Sequence, residues 1–550
     1  MRVSLPASQA EYPAIGSRRR LPWPWLVVGG LAALVLLPLL VLFSSLVDPQ
    51  LDIWRHFGEF VLPRLLLNTL WLLLGAGIGT AVLGVSLAWL TATCEFPGRK
   101  WLSWALLMPL AVPGYVLGFV FIGLLDFTGP IQTSLREAFG SSPQFPIRSR
   151  GGVILVMTLT LYPYVYLVAR NAFMTQGRRA LEAAQTLGMN RWRGFFHVAL
   201  PMARPWIAGG LALVLMETLA DFGTVAVFNY DTFTTAIYKA WFSLFNLTAA
   251  SQLASVLVIL VFLALLLEQR SRHQQRYSTG ARSDSQERFQ LKGTARWLAL
   301  GWCLLVLAVA FAIPMLQLLS WGWQSRGDLD SRYFGFLTRS LLLAGSAALL
   351  ITCLGLLLSY ALRHGKDYWL APLGRFAVLG YALPGSVLAV GFFLPVAWID
   401  QTWIGIGQRF GLDDMRPLLS GTVIVMLLAY LVRFLAVGFH PLDAALQRVT
   451  PSMDEAARNL GSTGQDLLRR VHLPLLRGGL ATAAVLVFVD VMKEMPITLM
   501  TRPFGWDTLA VRIFEMTAEG EWQRAALPAA TLVIAGLIPV ILLMRSGERH

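Results

Sequence analysis

Long apolar runs constrain the fold of this chain more than any other feature. Several runs of about 20 apolar residues match the thickness of a bilayer core and exceed what a soluble helix needs. Of the 550 residues, 56% are hydrophobic and 14% are charged, whereas a soluble domain is usually about 25% charged. The sequence therefore predicts an all-α polytopic membrane protein. A β-barrel is disfavoured because its signature is short alternating segments.

Hydropathy predicts about 12 transmembrane helices in two sets of six. The first six lie near 25–47, 66–92, 102–125, 151–170, 206–228 and 248–268, and the second six near 297–321, 338–362, 370–397, 419–438, 479–500 and 525–544. Basic residues concentrate in alternate loops, which predicts that both termini are cytoplasmic. The net charge of +14 is explained by these loops and by anionic lipid, so no nucleic-acid partner is expected.

Cysteine and histidine give no sign of a metal or disulfide framework. The three cysteines, Cys94, Cys303 and Cys353, form no C-x-x-C pair, and the seven histidines are scattered. The sequence predicts no metal site on this basis.

The chain is an internal duplication. The stretch "EAAQTLGMNRWRGFFHVALP" at 182–201 is matched by "EAARNLGSTGQDLLRRVHLP" at 455–474, 273 positions later. A second pair, "AVPGYVLGF" at 111–119 and "ALPGSVLAV" at 382–390, recurs at an offset of 271. Because each half holds six predicted spans, the repeat is parallel rather than inverted.

The duplication suggests a division of the chain into five segments. They are an N-terminal tail and first span (1–65), a first repeat (66–268) with a polar loop at 171–205, a cytoplasmic linker (269–295), the first span of the second half (296–337), and a second repeat (338–550) with a polar loop at 440–478.

The two repeated polar stretches predict a short helix, a turn and a second helix. Glu-Ala-Ala favours helix initiation, and Gly188 and Gly461 suit a left-handed helix end. Pro201 and Pro474 mark the return of the chain to the membrane. From the residues alone, a plain amphipathic connector at the lipid headgroups remains an alternative.

In sequence and setting, the two stretches resemble the EAA loops of ABC importer permeases. The resemblance implies the type I importer permease fold, in which each loop presents a coupling helix to one of two copies of an ABC ATPase subunit. The positions that match the motif are Glu182, Ala183, Ala184, Gly188, Leu200, Pro201, Glu455, Ala456, Ala457, Gly461, Leu473 and Pro474.

No G-x-x-x-x-G-K-[ST] motif occurs in the sequence. The chain is therefore expected to bind no ATP through a P-loop and to be a non-catalytic subunit without a cofactor, with ATP hydrolysis carried out by a separate ATPase.

Five charged residues fall within predicted spans after the polar loops: Glu217, Asp221, Asp490, Lys493 and Glu494. Charges at this depth usually face a bundle interior or a cavity and find partners there. They are candidates for a translocation pathway, with sealing of the interface between the halves as the alternative. Two Pro-Gly pairs, at 113–114 and 384–385, break their spans, and either gating or tight packing would explain them.

The segments "DFGTV", "DTFTTAIY" and "KEMPITLMTRPFGWDTLAVR" resemble the fused ferric-iron permeases of the same superfamily. That resemblance implies a bacterial inner-membrane location, a periplasmic substrate-binding protein and ferric iron as cargo. Related permeases carry thiamine, polyamines or phosphonates, and these cargoes remain alternatives. A secondary transporter leaves the repeated polar loops unexplained, and a membrane enzyme would need a catalytic cluster that the sequence lacks.

Overall fold

The computed structural model describes the chain as a bundle of long helices with short broken segments between them. The described residues are 23–47, 51–140, 146–175, 184, 186, 188–273, 288–328, 330–365, 367–412, 414–462 and 464–547. The prediction of an all-α membrane protein in two repeated halves is confirmed.

The α-helices of the first half are Trp23–Ser44, Leu51–His56, Leu62–Thr93, Arg99–Ala105, Gly114–Leu125, Pro130–Phe139, Arg150–Thr175, Arg191–Gly194, Leu200–Ala220, Gly223–Val227, Phe233–Tyr238 and Leu247–His273. Those of the second half are Thr294–Leu307, Ile313–Gln324, Ser331–His364, Leu370–Ala377, Gly385–Arg409, Val423–Leu446, Pro451–Asn459, Gln465–Leu467, Leu473–Leu475, Arg477–Lys493, Pro496–Thr501, Leu509–Ala518 and Trp522–Gly547. Tighter 3-10 turns occupy Met108–Ala111, Arg326–Asp328 and Leu379–Ala382, and wider π turns occupy Phe57–Val61, Phe195–Ala199, Lys239–Ser243, Ala308–Ala312 and Leu468–His472.

The number of spans differs from the prediction of about 12. Among the described residues, ten helices are long and apolar enough to cross a membrane, or eleven if one bent pair is a single span. That pair, Gln465–Leu475 and Arg477–Lys493, bends by 71° and falls on the eleventh predicted span. The twelfth falls on Trp522–Gly547, a helix of 26 residues with two internal prolines, which is not among the ten.

The predicted breaks in the third and ninth spans are present. In each half a short helix and a 3-10 turn lead to a proline in extended geometry, Pro113 or Pro384, and a new helix starts at the following glycine. Pro113 and Pro384 are the N-cap residues of these helices, where proline fixes φ and has no N–H that would need a partner. The long helices of the third and ninth spans therefore begin at Gly114 and Gly385.

The first span of each half reaches across to the other half. Helix Trp23–Ser44 packs against Ser331–His364, Leu370–Ala377 and Gly385–Arg409, and Ile313–Gln324 packs against Gly114–Leu125. Glycine permits both crossings: a Cβ on Gly391 would lie 2.7 Å from the Pro38 Cβ, and one on Gly123 would lie 2.6 Å from the Trp321 ring. Buried side chains of both halves contribute to each of two apolar cores.

A two-stranded parallel pairing, Cys94–Glu95 (β1) with Phe289–Gln290 (β2), joins the end of the linker to the first half. The Glu95 carboxylate lies 3.0 Å from Arg99 and 3.8 Å from Arg288. Residues 274–287, the greater part of the predicted linker, lie outside the described residues.

Candidate functional site

A cavity lies between the two halves, at the point where a long helix of each half breaks. Leu200–Ala220 ends before Asp221 and a short helix, Gly223–Val227, follows. Arg477–Lys493 ends before Glu494 and a short helix, Pro496–Thr501, follows. The two breaks lie 273 positions apart in the sequence, so the duplication explains why they match.

The acid at each break caps the short helix that follows it. Asp221 Oδ1 accepts a hydrogen bond from the Thr224 hydroxyl at 2.9 Å, and Oδ2 accepts one from the Val225 N–H at 3.1 Å. Glu494 Oε1 accepts the Ile497 N–H at 3.0 Å. A broken membrane helix leaves backbone donors that need partners in the protein, and these carboxylates supply them.

A second pair of acids, one turn earlier, is repeated in the same way. Glu217 and Asp490 lie 273 positions apart and line the same cavity as Asp221 and Glu494. The basic residues of the cavity are not repeated. At the same offset of 273, Lys493 is matched by Ala220 and Arg433 by Thr160. All the charged positions that the sequence singled out in these spans therefore converge on one cavity.

The charges are distributed unequally between the two walls. Lys493 Nζ lies 2.9 Å from Asp490 Oδ1, and Arg433 lines the cavity beside Glu494. Glu217 and Asp221 form no ion pair among the described residues. Four acidic side chains face two basic ones in the lining, and the wall from the first half is the more negative.

Three tyrosines from both halves complete the polar lining: Tyr115, Tyr164 and Tyr381. The Tyr381 hydroxyl donates to Glu217 Oε1 at 2.9 Å and joins the halves. The Tyr115 side chain is 5% exposed and its hydroxyl has no hydrogen-bond partner. The cavity thus presents carboxylate and phenol oxygens, which are donors that hard cations prefer.

The acids do not form a ready-made metal site. In the part of the chain that the structure describes, no three His, Cys, Asp or Glu side chains are grouped so as to hold a metal ion. The four carboxylates instead surround a cavity of about 150 Å³, which leaves room for a passing ligand.

The second polar loop folds as helix, turn and helix. Helix Pro451–Asn459 carries Glu-Ala-Ala, and Gly461 follows it with φ of +87°. In the first loop Gly188 has φ of +82°, and the Met189 N–H bonds to the Ala184 carbonyl as the Ser462 N–H bonds to that of Ala457. Glu182 and Ala183 lie outside the described residues, so the start of the motif in the first loop is known only from sequence.

Both loops return to the membrane through the same irregular turn. Phe195–Ala199 and Leu468–His472 are π turns 273 positions apart. Leu200 with Pro201, and Leu473 with Pro474, start the helices that follow. The repeated Leu-Pro pair therefore marks a helix start in each half.

The second loop presents a surface of mixed charge with apolar side chains, because Arg458, Arg469 and Arg470 are exposed as well as Glu455 and Asp466. Glu455 and Ala456 are exposed, as are Met453 (44%) and Leu460 (87%). Ala184 and Ala457 are buried inside the protein. An exposed leucine at a loop tip is an apolar contact without a partner in this chain.

A polar network holds the second loop against the bundle. Asp454 Oδ2 lies 2.8 Å from an Arg363 nitrogen, and Asp454 Oδ1 lies 2.7 Å from His472 Nε2. The His472 ring is fully buried, and its Nδ1 is hydrogen-bonded to the Tyr360 hydroxyl. Arg363 also donates to the Leu446 carbonyl at 2.8 Å.

The first half replaces this network with apolar contacts. The residue that matches Asp454 is Leu181, and the one that matches His472 is the buried Ala199. Trp89 takes the place of Tyr360 and packs on Phe173 and Phe195, with ring centroids 5.4 and 4.7 Å away. The two loops are therefore anchored by different chemistry.

Comparison with known proteins agrees with this architecture. Residues 81–273 match the family described as "Binding-protein-dependent transport system inner membrane component". The molybdenum transport system permease protein ModB of Escherichia coli K12 is 30% identical over 192 residues, which cover 34% of this chain and 82% of that protein. The chain belongs to this permease family.

Two further relatives of the permease extend along nearly its whole length. The Fe(3+)-transport system permease protein FbpB 2 of Haemophilus influenzae is 26% identical over 96% of this chain and 99% of its own. The ferric transport system permease protein FbpB of Actinobacillus pleuropneumoniae is 23% identical over 94% of this chain and 77% of its own. These relatives are permease subunits of ABC transporters, a non-catalytic class.

Sequence reasoning missed several residues of the permease site. Tyr115, Tyr164, Tyr381 and Arg433 line the cavity without any local pattern that marks them. The sequence repeat gave little indication of Asp454, because the matching residue in the first half is Leu181. For Leu460 a signal existed, because a leucine precedes the glycine in both loops, at 187 and 460.

Proposed function

We propose that the permease is the membrane subunit of an ATP-driven, binding-protein-dependent importer of ferric iron. The lining of the cavity supports a cationic cargo, because its four carboxylates outnumber its two basic side chains. A cavity lined by one sign of charge concentrates ligands of the opposite sign. An oxyanion such as molybdate would meet a repulsive lining, although one relative of part of the chain is named for molybdenum.

The choice of iron among cations rests on two further points. Three relatives that match most of the chain are named for ferric transport, and a fourth is named only as a probable ABC transporter permease. The lining offers carboxylate and phenol oxygens and no histidine or cysteine, which suits a hard trivalent ion. A polyamine is the cationic alternative, because carboxylates and aromatic rings also bind organic ammonium groups.

In this proposal the two polar loops couple the cavity to two ATPase subunits. Glu182 and Glu455 provide the charged contacts of the docking surface. The exposed Met453 and Leu460 provide apolar contacts to an ATPase. Movement of the two ATPase subunits toward each other would displace the loops and move the halves about the cavity. The family's name requires a binding protein, which would deliver cargo to the opposite face.

The basic loops support an orientation in which both termini and both coupling loops are cytoplasmic. The similarity to importer permeases supports a location in a bacterial inner membrane. The segment boundaries inferred from the duplication, 66–268 and 338–550, are proposed as the two pore-forming repeats. ATP would be bound and hydrolysed by the partner ATPase alone.

Uptake of radiolabelled ferric iron tests the cargo. Cells that lack this gene and retain its binding protein and ATPase are compared with cells complemented by the wild-type gene, with molybdate and a polyamine measured in parallel. We expect complementation to restore iron uptake only, and an ATPase unable to hydrolyse ATP to abolish it. Restored uptake of molybdate or polyamine without iron would overturn the iron assignment.

A further inference from the structure

One hydroxyl in the cavity lacks the partner that a buried polar group normally has. The Tyr115 side chain is 5% exposed, and its hydroxyl forms no hydrogen bond. Burial of an unpaired hydroxyl costs free energy, so such groups are rare and call for an explanation. Because Tyr115 lines the cavity, a ligand that occupies the cavity is one explanation.

The position that matches Tyr115 in the second half provides a contrast. Ser386 is fully buried and its hydroxyl is also unpaired, but Ser386 is not part of the cavity lining. Of these two unpaired buried hydroxyls, only that of Tyr115 belongs to a residue that lines the cavity.

Tyr164 brings a second phenol to the same space. It lines the cavity beside Glu217 and also a neighbouring pocket that contains Asp221. The third tyrosine, Tyr381, is already engaged with Glu217. Tyr115, Tyr164 and the two carboxylates that form no ion pair among the described residues thus come from the first half. The Tyr115 phenol also interacts electrostatically with Glu494 of the second half, so it lies where the two walls meet.

We propose that Tyr115 and Tyr164, with Glu217 and Asp221, form a transient site that ligates a ferric ion during its passage. This inference rests on the proposed iron cargo. The oxygen donors of the more negative wall hold the ion, while Lys493 remains paired with Asp490 on the opposite wall. A transient site is consistent with the absence, among the described residues, of a grouped set of three metal-binding side chains.

The binding of a ferric ion by a tyrosine phenol is balanced in atoms and in electrons. The O–H bond of tyrosine breaks, an Fe–O bond forms, and the proton passes to water in the cavity. The ion remains ferric throughout, so no electron donor or acceptor is required. A ferric phenolate absorbs visible light through charge transfer from oxygen to iron, which gives a readout independent of transport.

The test uses the purified permease–ATPase complex without its binding protein, titrated with ferric nitrilotriacetate. We expect a visible charge-transfer band in the wild type, a weaker band in Tyr115→Phe and in Tyr164→Phe, and none in the double variant. The affinity for ferric nitrilotriacetate should fall at least about tenfold in the double variant, the lower end of the loss seen when the surroundings of a metal ligand are altered.

Tyr162→Phe is the matched control. Tyr162 lies on the same helix as Tyr164, and its hydroxyl donates to the Leu106 carbonyl outside the cavity at 2.9 Å. We expect this variant to keep the band. Size-exclusion profiles and retention of the ATPase establish that each variant is folded.

The outcomes separate this inference from the proposed function. A wild-type complex without the band, or a double variant that retains it, overturns the tyrosine site. If cells with the wild-type permease still import ferric iron in that case, the proposed function stands without the site. If they import no iron, the proposed function itself is wrong.

Discussion

The Tyr381 hydroxyl donates a 2.9 Å hydrogen bond to Oε1 of Glu217, and so joins the second half to the first across the cavity. A hydrogen bond to a charged group contributes about 1.5–3 kcal/mol in proteins, and bonds between membrane helices average about 0.6 kcal/mol. This contact is present in the conformation described and would have to break if the halves separate. It therefore biases the equilibrium between conformations.

The variant Tyr381→Phe removes only the hydroxyl. It should therefore weaken the preference for the described conformation while the aromatic ring keeps its shape. We expect spin labels placed on the two halves to show a broader distance distribution, with a shift of about fivefold in the ratio of conformations for a loss of about 1 kcal/mol. Tyr162→Phe, which removes a hydroxyl that does not join the halves, should leave the distribution unchanged. An unchanged distribution in Tyr381→Phe would show that the bond does not hold the halves.

The network of Asp454 with Arg363 and His472 should contribute to the stability of the second polar loop. Asp454→Asn leaves the Arg363 guanidinium without its counter-charge, and we expect a loss of about 2 kcal/mol, below the cost for a fully buried pair. The measurement is thermal denaturation of the purified permease, together with retention of the ATPase. Asp466→Asn is the control, because the Asp466–Arg470 pair is exposed and such pairs contribute little. Equal denaturation curves for both variants would contradict this contribution of the network.

The turn in the second polar loop should depend on glycine at 461. A Cβ on Gly461 would have open space around it, but its φ of +87° strains other residues. We expect Gly461→Ala to cost about 1–2 kcal/mol and to reduce transport-coupled ATP hydrolysis, and Gly461→Asn to be milder because asparagine tolerates this conformation. Gly478→Ala, also in open space but inside a helix, should cost no stability and should stabilise by up to about 1 kcal/mol. An alanine variant at 461 with wild-type coupling would refute the role of the turn.

Charge reversal at Glu182 and Glu455 tests the docking surface. We expect Glu182→Lys with Glu455→Lys to reduce co-purification of the ATPase while the permease remains in the membrane, because each loop would present repulsion in place of attraction. Each single variant should give a partial loss. Arg458→Glu, an exposed change on the same helix, serves as the control for loop surface charge. Co-purification at unchanged yield in the double variant would exclude this assignment.

Glu217 and Asp221, which form hydrogen bonds but no ion pair among the described residues, should matter for cargo. Glu217→Gln and Asp221→Asn keep side-chain size and some hydrogen bonding, so we expect the fold to survive and iron uptake to fall, with the largest loss when both are changed. Loss of a negative wall weakens cation attraction. Glu519→Gln, an exposed position outside the cavity, should have no effect. Wild-type uptake by the double variant would indicate that these acids serve only as structural partners.

The sequence alone determined the features that depend on local chemistry. Apolar runs predicted the membrane class, and the repeated stretches predicted the duplication, the Pro-Gly breaks and the left-handed glycines at 188 and 461. These features follow from hydropathy, backbone geometry and the missing N–H of proline, which a short window of sequence contains. The count of about 12 spans was less accurate. The eleventh predicted span falls on two helices bent by 71°, and the twelfth falls on Trp522–Gly547, which is not among the ten candidate spans of the described residues.

Only the tertiary structure decided which distant residues meet. Glu217 and Asp490 could be paired by the repeat, but their place in one cavity with Tyr115 and Tyr164 depends on how four helices cross. The contact of Asp454 with Arg363 joins positions 91 residues apart, and no first-half counterpart marked it. Packing across a bilayer brings together side chains that share no local pattern. The sequence therefore predicted where charge lies along each helix, while the fold determined what surrounds it.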